Sequence, residues 1–106
     1  MFPNLQIIAS NKQIRSMHTI IRDESTSRND FIFYADRLIR LLVEGALGFL
    51  PFQETTVQTP TGQPYVGVES DTKLCAVSLI RSGEAMEQAV RACAKGIKIG
   101  KILIHR

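Results

Sequence analysis

The sequence predicts an α/β fold in which two amino-terminal helices precede a β-hairpin and one βαβ unit of a parallel sheet. Three observations carry this. A near-continuous apolar run, Leu74-Cys75-Ala76-Val77-Ser78-Leu79-Ile80, breaks at Arg81-Ser82-Gly83-Glu84, gives way to a helical pattern, and is followed by a second apolar run from Gly100 to His105. Strand, helix and strand in that order are the signature of a parallel pair with a crossover. Upstream, Phe31, Tyr34, Ala35, Leu38, Leu41 and Leu42 recur at intervals of three and four, which is one face of an amphipathic helix. Between the two lie Thr55-Thr56-Val57-Gln58-Thr59 and Tyr65-Val66-Gly67-Val68, flanking a Pro60-Thr61-Gly62-Gln63 reversal.

Taken in order, Leu5 to Ile8 is a short strand or an extended arm. Ser10 or Asn11 then offers a capping oxygen to a helix from Lys12 to Arg22, with Ile14, Met17, Ile20 and Ile21 on one face. The polar stretch from Asp23 to Ser27 separates it from a long helix, Arg28 to Leu50, opened by Ser27 with Asp30 three residues on and stopped by Pro51. Ile32, Phe33, Ile39 and Val43 lie off its main stripe, more apolar surface than a two-strand partner covers, so part of this helix is expected to face another subunit. In the βαβ unit the continuous apolar character of the first strand predicts cover on both faces. The crossover helix, Glu84 to Ala94, turns Ala85, Met86, Ala89, Val90 and Cys93 inward and ends near Gly96. The chain divides into arm and helices over 1–52, hairpin over 53–70 and βαβ unit over 71–106, a single partial domain.

Composition narrows the function classes. At 106 residues with 44% hydrophobic and 22% charged, the chain is an ordinary globular sequence. Its longest apolar runs fall well short of the roughly 20 residues that cross a bilayer, and its start lacks the basic and apolar regions of a secretory signal. A cytoplasmic protein without membrane partners is the expectation. The net charge of +3 is spread among acids rather than gathered in a stripe, which argues against nucleic acid as a partner. Cys75 and Cys93 fall inside one βαβ unit without metal-ligand spacing and read as buried small hydrophobes.

The residues that promise chemistry are arginines. Arg81 and Arg106 stand at the carboxyl ends of the two predicted parallel strands, where open α/β sheets bind ligands, and two guanidinium forks on one sheet edge make an anion site suited to phosphate. Free N–H groups at the start of the following helix add to the attraction, and Gly83 permits the tight turn. This is neither a P-loop nor a dinucleotide fingerprint, since neither glycine pattern is present. His18 and His105 lack partners at ligand spacing and read as structural, no nucleophilic triad is supported, and Glu84 with Glu87 reads as a solvated acidic face rather than a metal pair. Arg28 and Arg37, nine positions apart, fall on opposite sides of the long helix and by default are solvated charges.

Several blocks together carry a resemblance: Met17-His18-Thr19-Ile20-Ile21-Arg22-Asp23, Phe31-Ile32-Phe33-Tyr34-Ala35-Asp36-Arg37-Leu38-Ile39-Arg40-Leu41-Leu42, Ser78-Leu79-Ile80-Arg81-Ser82-Gly83-Glu84-Ala85-Met86-Glu87-Gln88 and Ile99-Gly100-Lys101-Ile102-Leu103-Ile104. Collinear and without obvious gaps, they resemble uracil phosphoribosyltransferase of the eukaryotic kind, over about the first half of such an enzyme. The resemblance implies an incomplete type I phosphoribosyltransferase-like fold and transfer of a phosphoribosyl group from phosphoribosyl pyrophosphate to uracil, giving UMP and pyrophosphate. Arg81 and Arg106 then match the family's two contacts to phosphoribosyl pyrophosphate, with Ser82 where many members have alanine. The resemblance also implies Mg2+ carried with that substrate, GTP as an allosteric activator contacting Arg28, Arg37 and the segment Asp71, Thr72, Lys73, Leu74, and a homo-oligomer. Asp71-Thr72 departs from the more aromatic, serine-containing form expected there.

The family's acidic ribose-phosphate loop and uracil-reading hood belong downstream of Arg106, so the chain alone is expected to be inactive. Two rivals stay open: a non-catalytic interaction or oligomerisation module that pairs through the long helix, and a fragment of the phosphoribosyltransferase-like domain of a uridine kinase. With two parallel strands and one crossover helix, the sheet edge is expected to stay unpaired and to favour association.

Overall fold

A computed structural model describes residues 3–104. The residues from Leu5 to Ser10 form an extended arm rather than a strand, with the Ile8 side chain seated on Gly45 so closely that a Cβ there would lie 2.5 Å from Ile8 Cδ1. Helix α1 spans Lys12–Arg22. Asn11, not Ser10, is its cap: Asn11 Oδ1 accepts from the Ile14 N–H at 2.9 Å. At its other end the Thr26 hydroxyl donates to the Ile20 carbonyl at 2.6 Å, closing one of the helix's orphan acceptors.

The turn that follows is pinned by Asp23, whose Oδ1 accepts from the Ser25 N–H at 2.9 Å and from the Ser25 hydroxyl at 2.8 Å. These bonds, the backbone one foremost, favour the ionised carboxylate and hold its pKa below the ordinary aspartate value. The sign follows from linkage: the stabilisation is fully present above the unfolded-state pKa and is lost as pH falls through the depressed folded value. A carboxyl-carbon NMR titration is therefore expected to give Asp23 a midpoint below that of an unstructured aspartate. A midpoint at the unstructured value would show that the turn makes no such bonds in solution.

Helix α2 spans Arg28–Leu47, with Ser27 Oγ accepting from the Asp30 N–H at 3.2 Å. It ends three residues earlier than the apolar pattern predicts. Gly48 is its cap, and Phe49 and Leu50 turn back onto the Ala46 and Leu47 carbonyls before Pro51. Strands β1 (Phe52–Gln58) and β2 (Pro64–Ser70) form the antiparallel hairpin in register Phe52↔Ser70 to Gln58↔Pro64, longer at its base than the sequence pattern shows. Thr59 clamps its tip, N–H and hydroxyl both donating to the Gln63 carbonyl, while Gly62 takes φ +85°, the left-handed region that favours glycine. Strand β3 (Cys75–Ile80), helix α3 (Glu84–Cys93) and strand β4 (Lys98–Leu103) make the parallel βαβ unit, paired from Cys75↔Lys98 to Ile80↔Leu103. Strand β4 thus begins two residues before the predicted Gly100 and ends at Leu103.

Helix α2 is the common wall, packed on α1 along one side and on α3 along another, while α3 also lies on β3. Two neighbours on different sides explain why its burial departs from the single stripe. Val43, off that stripe, is its buried residue, whereas Phe31, Leu41 and Leu42 on the stripe are 47%, 42% and 49% exposed. Among the described residues, the buried apolar ones are Met17, Val43 and Ala89. Two further expectations are corrected. Among the described residues one face of the parallel pair is covered, by α3, and Val77, Leu79 and Ile102 on the other face are exposed. Cys75, on that same open face, is exposed rather than buried, and Ala85 is exposed at the start of α3.

The accessible surface is 9129 Å². A compact monomer of 11.8 kDa would expose about 5,900 Å². The radius of gyration is 17.6 Å, against about 13 Å for a compact domain of this length.

Candidate functional site

The site grows from the end of β3. The chain leaves Ile80 through a cis peptide bond to Arg81 and turns at once into α3. The Gly83 N–H donates to the Leu79 carbonyl at 2.8 Å, Glu84 to Arg81 at 2.9 Å, Ala85 to Ser82 at 3.2 Å and Met86 to Gly83 at 3.0 Å. These tight bonds revise the sequence reading. The helix-start N–H groups expected to await an anion are turned back into the turn itself, in the 3₁₀ manner. What the turn presents outward is the exposed pair Arg81 and Ser82.

Gly83 is required by space rather than by dihedral. Its φ of −61° suits any residue, but a Cβ would lie 2.6 Å from the Leu79 carbonyl oxygen, 2.6 Å from Ser78 Oγ and 2.8 Å from the Leu79 nitrogen. The turn can fold back on β3 only where no side chain intervenes.

Behind the turn lies a polar group that the sequence reading misses. Ser78 is 8% exposed, and its Oγ, like Glu87 Oε2, is buried without a hydrogen-bond partner. The two residues border a narrow, partly open space of 140 Å³ between the strands and α3, together with Gly83, Met86, Val90 and Ile99. Glu87 Oε1 meets Lys101 Nζ of β4 at 3.5 Å, with the glutamate side chain only 13% exposed. Glu87 is therefore not part of a solvated acidic face. A buried polar atom left unpartnered costs about 1–3 kcal/mol, so this pair stands out in so small an interior. The one signal in the sequence was Ser78 itself, a single hydroxyl inside an otherwise apolar run.

The other predicted residues are placed as follows. Arg106 and His105 lie outside the described residues. The register sets Ile80 beside Leu103, so the chain leaves β4 at the end of the sheet that carries Arg81. Arg28 opens α2 and is exposed. Arg37 is half-buried, its guanidinium 5.9 Å from the Tyr34 ring centroid in a cation–π contact. Nine residues of helix separate the two by about 13.5 Å along the axis, so α2 alone does not bring them together. Asp71, Thr72 and Lys73 are exposed in the connection from β2 to β3, where the Asp71 N–H donates to the Pro51 carbonyl at 3.2 Å and the Ser70 hydroxyl to the Thr72 carbonyl at 3.4 Å. Leu74 is half-buried. His18 lies on α1 with a buried Nδ1 that has no hydrogen-bond partner.

Comparison with known proteins decides the family. The family model for uracil phosphoribosyltransferase matches residues 8–106. The chain belongs to the uracil phosphoribosyltransferase family. It is 58% identical over 103 residues to a uracil phosphoribosyltransferase homolog of Danio rerio, covering 97% of this chain and 40% of that protein. It is 55% identical, again over 103 residues, to uracil phosphoribosyltransferase of Dictyostelium discoideum, covering 48% of it. Identity reaches 67% over 105 residues with uridine kinase-like protein 3 of Arabidopsis thaliana, covering 99% of this chain and 22% of that protein. The chain thus spans between a fifth and a half of the length of these relatives. Among solved structures, the AQ2163 protein of Aquifex aeolicus aligns with a TM-score of 0.65 at 20% identity, over 90% of this chain and 46% of that one, so the two share a mixed α/β fold. Helices, antiparallel hairpin and parallel pair are those read from the sequence.

Proposed function

We propose that this chain supplies the pyrophosphate-holding part of a uracil phosphoribosyltransferase, which joins uracil to phosphoribosyl pyrophosphate and releases UMP and pyrophosphate. The observation that carries this is the exposed Arg81–Ser82 turn at the carboxyl end of a parallel strand, in a chain of this family. Arg81 offers a planar fork to phosphate oxygens, and Ser82 adds a hydroxyl donor beside it. Arg106 is proposed as the second arginine of the same site. Mg2+ enters with phosphoribosyl pyrophosphate as part of that substrate. Groups that hold the ribose 5-phosphate and read uracil are supplied by segments the relatives carry beyond the matched stretch, so the isolated chain binds without turning over.

GTP is proposed as an effector at Arg28, Arg37 and residues 71–74. Because α2 keeps Arg28 and Arg37 apart, that site requires a second copy, in keeping with a homo-oligomer. The reading places the protein in pyrimidine salvage in the cytoplasm, without nucleic acid or membrane as partner.

The test is a titration of the chain with pyrophosphate, followed at the Ser82 and Gly83 amides by NMR. Loss of one charge-assisted fork in Arg81→Ala is expected to weaken binding by about 10- to 100-fold. Equal binding by wild type and Arg81→Ala would refute the assignment of the site, and UMP formation by the purified chain would refute its inactivity.

A second reading has two supports, the 67% identity to a uridine kinase-like protein and the exposed apolar surface: the corresponding part of such a protein, or an interaction module, whose exposed Phe31, Ile32 and Phe33 on α2 meet another chain. A concentration-independent monomer that fails to bind a full-length family member would count against it.

A further inference from the structure

Helix α3 lies on the two parallel strands, yet its apolar contacts do little to fix how it lies there. The seam keeps a space of 140 Å³ bordered by Ala76, Met86, Val90 and Ile99, and apolar contact in an incompletely filled seam favours burial without choosing one orientation. Among the described residues, one directional side-chain contact joins this helix to the strands: Glu87 Oε1 meets Lys101 Nζ of β4 at 3.5 Å. The other polar side-chain contact of α3, from Cys93 Sγ to the Arg40 carbonyl at 3.9 Å, leads away to α2. The glutamate side chain is 13% exposed and the lysine 50%, so a carboxylate held in the seam is reached by an ammonium from its rim. Glu87 Oε2 has no hydrogen-bond partner, which leaves Lys101 to hold the group. One helical turn earlier, the Gly83 N–H donates to the Leu79 carbonyl, and the missing side chain lets the turn press on β3. The helix is thus fixed at two points about 6 Å apart along its axis, one on each strand. Either point alone leaves a pivot; the two together set a direction across the sheet.

We propose that Glu87 and Lys101 are positioning residues of the pyrophosphate site, an ion pair that stops α3 from swinging about its Gly83 contact and so fixes the direction in which the turn presents Arg81 and Ser82. Neither side chain touches the anion. Their effect passes through the helix, and small misplacements of a binding group have large consequences. The effect on binding rests on the pyrophosphate reading above; the orienting role of the pair does not. Losing one partner differs from losing both. Lys101→Met leaves a largely buried carboxylate unpaired, which destabilises, whereas Glu87→Met with Lys101→Met fills the same places with two unbranched apolar side chains and keeps the net charge. Stability and orientation can therefore be separated.

Residual dipolar couplings of the α3 amides, measured against those of β3 and β4 in the ligand-free chain, read the direction of the helix. Urea unfolding reads stability, and titration with sodium pyrophosphate reads the site. Lys101→Met is expected to unfold at lower urea than wild type. The double variant is expected to unfold near the wild-type concentration, yet with an altered α3 direction and about tenfold weaker pyrophosphate binding. Lys101→Arg, which keeps a cationic donor for the carboxylate, is expected to hold the wild-type direction and to bind within about twofold of wild type. A wild-type direction in the double variant would overturn the orienting role, as would a Lys101→Arg chain that behaves like the double variant. An altered direction with wild-type affinity would overturn the link to the site. If wild type itself does not bind pyrophosphate, the functional reading falls, and the couplings still decide whether the pair orients the helix.

Discussion

Met17→Ala is expected to cost about 2–5 kcal/mol of stability, the range for truncating a fully buried large side chain to a methyl group. Met17 is 1% exposed and is the largest side chain buried to that extent. It lies on the inward face of α1, and with Val43 on α2 it belongs to the small buried apolar core. Domains of this size have net stabilities on the order of 5–15 kcal/mol, so this single change removes a large fraction. Urea unfolding followed by helical circular dichroism is the measurement. A loss under about 1 kcal/mol would mean that the seam between the helices collapses around the gap or was never closed in solution.

Gly83→Ala is expected to cost about 1–3 kcal/mol through overpacking, and to displace the turn that presents Arg81. Two of the three atoms that the new methyl meets are the Leu79 carbonyl oxygen and nitrogen, so relief demands a shift of backbone, not a side-chain rotation. The same thermal or urea experiment reads the stability. Displacement reads out as lost pyrophosphate shifts at Ser82 even under conditions where the protein remains folded. An alanine variant as stable as wild type with undisturbed Ser82 would show that the turn does not pack on β3 as described.

Much of the architecture was legible because it is written in local periodicity. Helix α1 begins and ends where the spacing of Ile14, Met17, Ile20 and Ile21 says, and the hairpin and βαβ unit follow from short apolar runs around Pro60, Gly62 and Gly83. What a single sequence does not encode locally is which face meets which neighbour. Helix α2 touches α1 and α3 on different sides, so Val43 is buried and Leu41 is not, and no one-stripe projection separates them. The limits of β4 were set by its partner: pairing with Cys75 draws in Lys98, a residue too polar to announce a strand. At the site, Arg81 was visible from its place at a strand end. Ser78, Glu87 and Lys101 were not, because their relation is tertiary, with α3 carrying the carboxylate over both strands.

The position of α2 between its two neighbours also sets how the molecule comes apart. Local openings follow the lines where contact is sparse, and cooperative units follow where it is shared. Among the described residues neither α1 nor the βαβ unit has another large partner, so each is expected to be protected only while α2 is helical. The hairpin hangs outside this arrangement, its strands packed chiefly on each other, with the Pro51–Asp71 bond at its base. Amide exchange is thus expected to be graded by distance from α2, with β1 and β2 exchanging by their own fraying and the helical trio by a common opening, and the Arg81–Glu84 turn to inherit its lifetime from a helix that contributes no residue to it.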